Sequence, residues 1–386
     1  MATCRKLGPP NADKNGGPNW RCGQRGSLHI RASGGWPQAG NGCQVRPRAP
    51  RKAMSQMERP TQLRGALVLG GGFLGSHIAH RFRQSGPDVT VVTRSEPRGH
   101  AAALVDDCHL LIGDIRDAAL LPQLAHAVDD VIYAVGTLHP QASNSDPITD
   151  VSTALIPLLA TLTHLDPGVT FTFLSSGGTV YGDAVTTPTP EDAPTEPVSS
   201  YGIMKLAGEK YTLLYQRLRQ LRSRIVRIGN VYGPGQPYNR GQGVMGTLFD
   251  CAVSGRPLEV FGDGSFIRDY IHVDDMADAI VRLLDAPPEP SVVNIGTGIG
   301  TSISEAIDVV RAVSGEPIAV EYLPTRSVDV RRSVLDTRRL RDLISFHPRS
   351  LTDGVASTWL ACHQEELLPN ISRPHVPPAV PSLSID

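Results

Sequence analysis

Aromatic residues make up only 5% of this 386-residue chain, and its six cysteines, at 4, 22, 43, 108, 251 and 362, form no CxxC pair. That scatter excludes a disulfide scaffold and offers no metal-ligand spacing, so no metal is expected. No stretch approaches the roughly 18 consecutive apolar residues of a membrane span, and no signal-peptide apolar region is present. A cytoplasmic protein is expected, with no membrane partner. What the chain does have is a hydrophobic fraction of 40% beside 19% charged residues, which suffices for a large core in one domain or two joined ones.

The formal net charge of -1 hides an asymmetry: residues 1–60 hold eleven Lys or Arg against only Asp13 and Glu58. Gly and Pro occupy sixteen of those sixty positions, and no periodicity is visible. Such a composition cannot offset its ordering entropy, so residues 1–60 read as a disordered basic extension. A nucleic-acid arm, a transit peptide and an upstream translation start before Met54 or Met57 are the three readings. The missing aromatic interleaving weighs against the first, so no nucleic-acid partner is expected. The missing amphipathic Arg/Ser pattern weighs against the second, which favours the third.

From Gly65 onward short β-branched runs alternate with amphipathic helical stretches, the rhythm of a parallel sheet with crossover helices. Strands are predicted at 65–69, 88–92, 108–112, 130–135, 169–174 and 224–228, with a seventh at 291–295. Helices are predicted to begin near Phe73, Asp117, Ile148 and Ser200, and another to run from Asp274 to Leu284. Runs apolar on both faces belong in a sheet covered on each side, which gives an α/β fold with a doubly wound parallel sheet. Residues 61–230 are expected to form that domain. Residues 231–362 are expected to form a smaller substrate-binding lobe with some returning sheet elements, and 363–386 a loose Pro- and Ser-rich tail.

The first strand runs into GGGFLGSHIAH, where Gly70, Gly72 and Gly75 match GxGxxG at the start of a helix. Glycines there permit a tight turn and close approach of backbone N–H groups to a pyrophosphate, and the helix dipole favours its charge. The acid that usually ends the second strand is replaced by Thr93 and Arg94. An Arg there suits a 2′-phosphate or an adenine face as well as a solvated loop, so NAD is expected with NADP left open. Farther on, Tyr201 and Lys205 stand four apart on one helix face, some 25 residues after the run Ser175, Ser176, Gly177, Gly178, Thr179, Val180, Tyr181. A nearby ammonium favours the phenolate, which makes Tyr201 a plausible acid/base toward a carbinol hydroxyl.

These motifs recur in a fixed order with GDIRD (113–117), RIGNVYGPGQ (227–236), FGDGSFIRDYIHVDD (261–275) and VVNIGTG (292–298). In that order the chain resembles the extended short-chain dehydrogenases/reductases, in particular the NAD-dependent epimerase/dehydratase family with its UDP-glucose 4-epimerase-like members and Rossmann fold. The resemblance implies that Gly70, Gly72, Phe73, Leu74 and Gly75 lie under the cofactor pyrophosphate. It places Asp114 and Ile115 beside the adenine, and Ala134, Val135 and Gly136 beside the ribose. Tyr201 is then the acid/base, and Lys205 holds the nicotinamide ribose and lowers the Tyr pKa. Asn230 and Arg268 become ligands of the substrate diphosphate, with Arg326 and Asp329 near the nucleoside. The position where the family carries its catalytic Ser or Thr is Gly177 here, which leaves Ser176 or Thr179 to supply the hydroxyl.

Where the family's 4,6-dehydratases carry an Asp-Glu pair, this chain has Gly178 and Thr179, which disfavours dehydration. A nucleotide-sugar epimerase, acting at C4 of a UDP-sugar through a transient keto intermediate, is therefore expected. A nucleotide-sugar reductase is the alternative, and a non-catalytic dinucleotide sensor the rival from another class. The family's counterparts of the helices near 148–165 and 200–221 pair two subunits, so the resemblance implies a homodimer.

Overall fold

Alternation within each apolar run decides which face of a sheet a side chain meets, and the first strand shows it directly. Ala66 and Val68 point to one side and Leu67 and Leu69 to the other, and each pair joins a different core cluster. The computed structural model describes residues 65–117, 120–125, 128–136, 140–237, 243–325 and 330–366. The basic head, the tail from residue 367 onward, and Arg326 and Asp329 lie outside the described residues, and residues 363–366, expected in that tail, instead complete a helix that ends at Glu366.

The strands in chain order are β1 (Gly65–Leu69), β2 (Asp88–Thr93), β3 (His109–Ile112), β4 (Asp130–Tyr133), β5 (Thr170–Ser176), β6 (Arg222–Ile228), β7 (Asn230–Tyr232), β8 (Leu258–Phe261), β9 (Ile267–His272), β10 (Val292–Ile295), β11 (Gly300–Ser302), β12 (Val320–Leu323) and β13 (Arg332–Ser333). The helices are α1 (Phe73–Gln84), α2 (His100–Leu104), α3 (Leu120–Ala125), α4 (Pro140–Ser145), α5 (Pro147–Asp150), α6 (Ile156–His164), α7 (Ser200–Arg219), α8 (Val244–Ser254), α9 (Val273–Asp285), α10 (Ile303–Ser314), α11 (Arg338–Leu343) and α12 (Leu351–Glu366).

Seven strands pair in parallel in the order β10-β6-β5-β4-β1-β2-β3, and they are the seven predicted runs. Ends differ slightly: β4 stops at Tyr133, and β5 continues to Ser176. One face is covered by α1 and α9, which bring Ile78, Phe82, Met276 and Ile280 onto Val68, Val91 and Val226. The other face carries Leu158 and Leu162 of α6 against Leu67, Phe171 and Phe173. The doubly wound architecture follows from this two-sided burial.

The predicted helix near Ile148 is not continuous. It divides into α5, a π-helical turn at Val151–Leu155, and α6, with Pro147 and Pro157 near the two starts. The helix predicted near Asp117 begins at Leu120. After β6 the chain builds two small sheets: β7, β11 and β13 gather around β9, and β12 pairs with β8. Their core comprises Phe249, Leu248, Ile307 and Val355 among others.

Close approach of α7 to β5 depends on Gly208. A Cβ there would come 2.5 Å from the Phe173 ring and 3.0 Å from Leu158. Gly208→Ala is therefore expected to destabilise the fold by about 1–3 kcal/mol, despite alanine's better helix propensity. Equilibrium denaturation of the variant checks this, and a neutral or stabilising result would contradict the packing.

Candidate active site

Three glycines set the floor of the site. Gly70 has φ +108° and leaves β1 so close to β4's continuation that a Cβ would meet the Ala134 carbonyl oxygen at 2.6 Å. A Cβ on Gly75 would lie 1.8 Å from the Gly70 carbonyl oxygen, a backbone atom with no freedom to yield. Gly72, by contrast, has no neighbouring atom within 4 Å of its Cβ direction. Gly72 also precedes α1 without a side-chain cap, and the first turn of that helix holds no acid. Uncapped N–H groups and a positive helix end above open ground fit a pyrophosphate.

The other residues predicted to border a dinucleotide fall along the same sheet edge. Ala134 abuts Gly70 and Gly75, Val135 is half-buried, and Gly136 is exposed. Asp114 follows β3 and forms a bidentate pair with Arg116, whose hydrogen bonds hold its carboxyl below the usual range, with Arg94 adding a smaller pull in the same direction. Ile115 is buried with the apolar cluster under α6, while Arg94 is exposed at the end of β2.

Tyr201 and Lys205 enter from α7, which the Ser199 hydroxyl caps by accepting from the Gly202 amide at 3.2 Å. The Lys205 ammonium donates to the Leu174 carbonyl oxygen at 2.8 Å, at the end of β5. Its nitrogen lies 5.8 Å from the Tyr201 ring centre and 5.4 Å from that of Phe173. The side chain is buried, and burial lowers the amine to about 8, with Asp150 and Glu209 opposing the fall.

Neither carboxylate was singled out from the sequence. Asp150 is fully buried and accepts from Ser143 Oγ at 2.5 Å. Glu209 accepts from Ser175 Oγ at 2.5 Å and pairs with Arg227 Nη2 at 2.7 Å. Arg227 continues to the Tyr181 hydroxyl at 2.9 Å, which donates to Asn294 Oδ1 at 2.7 Å. A signal for Glu209 did exist, since it stands four residues after Lys205 on the face already read.

The structure explains why position 177 carries no side chain. A Cβ on Gly177 would sit 2.7 and 2.8 Å from the two methyls of Leu335, which is fully buried against Val180 and Tyr181. Ser175 is spent on Glu209. Ser176 stands among polar neighbours: a Cβ placed on Gly178 would be 3.9 Å from Ser176 Oγ, 3.5 Å from Asn230 Oδ1 and 4.0 Å from Ser333 Oγ. Among the described residues, the buried Asn230 oxygen and Thr179 hydroxyl have no hydrogen-bond partner. Arg268 is half-buried on β9, beside Ser333 in the strand register, and lies over the Phe266 ring. Among the described residues no cluster of His, Cys, Asp and Glu could hold a metal ion.

The family model for the NAD dependent epimerase/dehydratase family matches residues 66–296. The chain belongs to this family. It is 34% identical over 302 residues to a UDP-glucose 4-epimerase of Mycolicibacterium smegmatis, covering 76% of this chain and 96% of that relative. Among solved structures, the UDP-glucose 4-epimerase of Thermotoga maritima with UDP-glucose superposes with a TM-score of 0.73 at 29% identity, covering 78% of this chain and 99% of the other. The Thermus thermophilus UDP-glucose 4-epimerase in complex with NAD gives a TM-score of 0.70 at 27% identity, with the same coverage. This epimerase/dehydratase is thus an NAD-dependent enzyme of the extended short-chain dehydrogenase type, and its glycine turn, uncapped α1 and buried Lys205 fit that cofactor.

Lys205 makes a quantitative expectation. The amine's value in the fold, about 8, lies below its ordinary 10.5, so the folded state binds fewer protons between them and gains stability as pH rises through that window. At pH 7 the buried charge costs about 3 kcal/mol. In protein stripped of nucleotide, Lys205→Met is expected to unfold at higher temperature than the parent at pH 7, and the gap to narrow toward pH 10. A variant less stable at pH 7, or a gap that widens with pH, would contradict the assignment.

Proposed function

We propose that this enzyme is a nucleotide-sugar epimerase that inverts C4 of a UDP-sugar through a transient keto intermediate. The observation that carries the reading is the Tyr201–Lys205 pair on α7, set at the carboxyl edge of the sheet, with Ser176 at the end of β5 and the buried Asn230 oxygen gathered around Gly178. A phenol beside a buried ammonium is suited to take a proton from a ring hydroxyl and to return it.

In this reading Tyr201 accepts the proton of the C4 hydroxyl, and Ser176 steadies the same oxygen from its place next to Gly177. Thr179, with its hydroxyl turned inward, is the lesser candidate. Bound NAD would supply the hydride-transfer chemistry at C4 that the chain's own side chains lack. Gly70, Gly72, Phe73, Leu74 and Gly75 hold its pyrophosphate, Asp114, Ile115 and Arg94 border its adenosine, and Ala134, Val135, Gly136 and Lys205 border its riboses. Asn230 and Arg268 hold the substrate diphosphate as a pivot, because a charged end can stay fixed while the uncharged sugar turns. Arg326 and Asp329 are assigned to the nucleoside. The absence of an acid–base pair at Gly178 and Thr179 supports epimerisation over dehydration.

Purified protein is expected to interconvert one C4 pair among UDP-glucose, UDP-N-acetylglucosamine and related sugars without net turnover of dinucleotide. Tyr201→Phe is expected to lower the rate by roughly 10²–10⁴-fold while NAD is retained. Stoichiometric consumption of NAD(P)H would move the reading to a reductase, and an unchanged rate in the variant would refute the role of Tyr201.

The reading includes a homodimer. Ile148, Ile156, Ile203, Leu214 and Leu218 are all exposed on α5, α6 and α7. Unshielded apolar residues on neighbouring helices support a second copy as their cover. Light scattering is expected to give twice the chain mass, and Ile203→Arg with Leu214→Arg to give the single-chain mass; a monomeric parent would refute the pairing. Cytoplasmic residence is part of the same proposal, and no helix among the described residues is long and apolar enough to cross a membrane.

A further inference from the structure

His77 stands in the second turn of α1, the helix whose first residues face the open ground at Gly72, and its ring is buried. Both ring nitrogens meet acceptors. Nε2 is 3.0 Å from the Pro234 carbonyl oxygen, and Nδ1 is 2.9 Å from Asp274 Oδ1. A carbonyl oxygen only accepts, so Nε2 carries a proton. Burial opposes ionisation of Asp274, but the His77 hydrogen bond and the nearby Arg349 charge bring its carboxyl down to about 2. With Nε2 turned to Pro234, Nδ1 faces the Asp274 carboxylate at the start of α9.

Its surroundings separate it from an ordinary core histidine. His272, one helix end away, is neutral: burial and Arg349 push it to about 4, and its Nδ1 accepts from the Asp274 amide at 3.2 Å. The His77 ring lies 5.3 Å from that of His100, tilted by 32°, and meets the Phe73 ring edge-on at 5.6 Å. Gly235, at φ +77°, presses on His100 so closely that a Cβ would come within 2.9 Å of it. The segment Gly233–Gln236 is therefore held at two successive residues, Pro234 by His77 and Gly235 by His100. This segment directly continues β7, which carries Asn230, and it ends in Gln236, whose buried Oε1 likewise has no partner among the described residues.

We infer that His77 is a positioning residue: its ring ties the helix beneath the cofactor to Pro234 and thereby fixes the loop that follows Asn230. The consequence for substrate rests on the proposed function, in which Asn230 holds the diphosphate. A ring that spans both elements keeps that ligand in register with the dinucleotide. The mechanism otherwise leaves this buried histidine unused.

Gln and Asn separate the two bonds, because a Gln amide reaches the place of Nε2 and an Asn amide that of Nδ1. Hydrogen exchange of peptides spanning 231–236 in the NAD-loaded enzyme is the primary reading and needs no substrate. His77→Gln is expected to keep the slow exchange of the parent, and His77→Asn to exchange as fast as His77→Phe. Steady-state assays with UDP-glucose as probe are expected to show KM raised roughly tenfold in the Asn and Phe variants, with kcat within about twofold and NAD retained. A Phe variant with parental exchange, or Gln and Asn in the reverse order, overturns the inference. If the exchange order holds but the parent leaves UDP-glucose and related UDP-sugars untouched, the tie stands and the epimerase reading fails.

Discussion

A buried ammonium persists only where carboxylates and carbonyls stand close enough to replace water, and Lys205 is where this chain meets that condition. Leu174 offers the carbonyl, and Asp150 and Glu209 offer negative charge from α5 and from the next turn of α7. Glu209 is itself fixed by Arg227 and Ser175, so the sheet's own strands β5 and β6 orient the group that supports Lys205. Catalytic position and core electrostatics are thus one arrangement. Under the proposed function, the charge that is costly in the empty enzyme is the one that serves the ribose hydroxyls and a phenolate.

A second constraint joins the sheet to the small lobe. Asp269 on β9 is buried and accepts from the amides of Thr297, Gly298 and Leu335 and from the Thr297 hydroxyl. Gly229 and Gly296 pack against it too closely for any side chain: a Cβ would fall 2.8 Å from its carbonyl oxygen and 2.4 Å from its carboxylate, respectively. This knot fixes Asn230 beside the end of β6 and sets Leu335 against Gly177. The missing hydroxyl at 177 is then a packing consequence, and Ser176 is the hydroxyl adjacent to it in the chain.

The large sheet was legible because each of its strands is a short β-branched run, and two-sided burial leaves that pattern unmistakable. The small lobe was not. β7, β11 and β13 are three, three and two residues long and make sense only through pairings such as Asn230 with Tyr270, which local periodicity cannot carry. The Tyr201–Lys205 spacing announced its face of α7, yet Asp150 and Leu335 reach the site from distant segments, and only folding brings them there. His77 was printed within the glycine motif and went unread, since a histidine in an apolar helix gives no sign of its two acceptors.

The central claim is that the Lys205 ammonium sets the ionisation of Tyr201. Ultraviolet difference titration, taking the NAD-loaded enzyme minus Tyr201→Phe, isolates that one phenol. The account expects the Tyr201 signal to move to higher pH by about one unit or more when Lys205 is replaced by Met, as a nearby opposite charge is lost. A phenol that titrates at the same pH with and without the amine would contradict it.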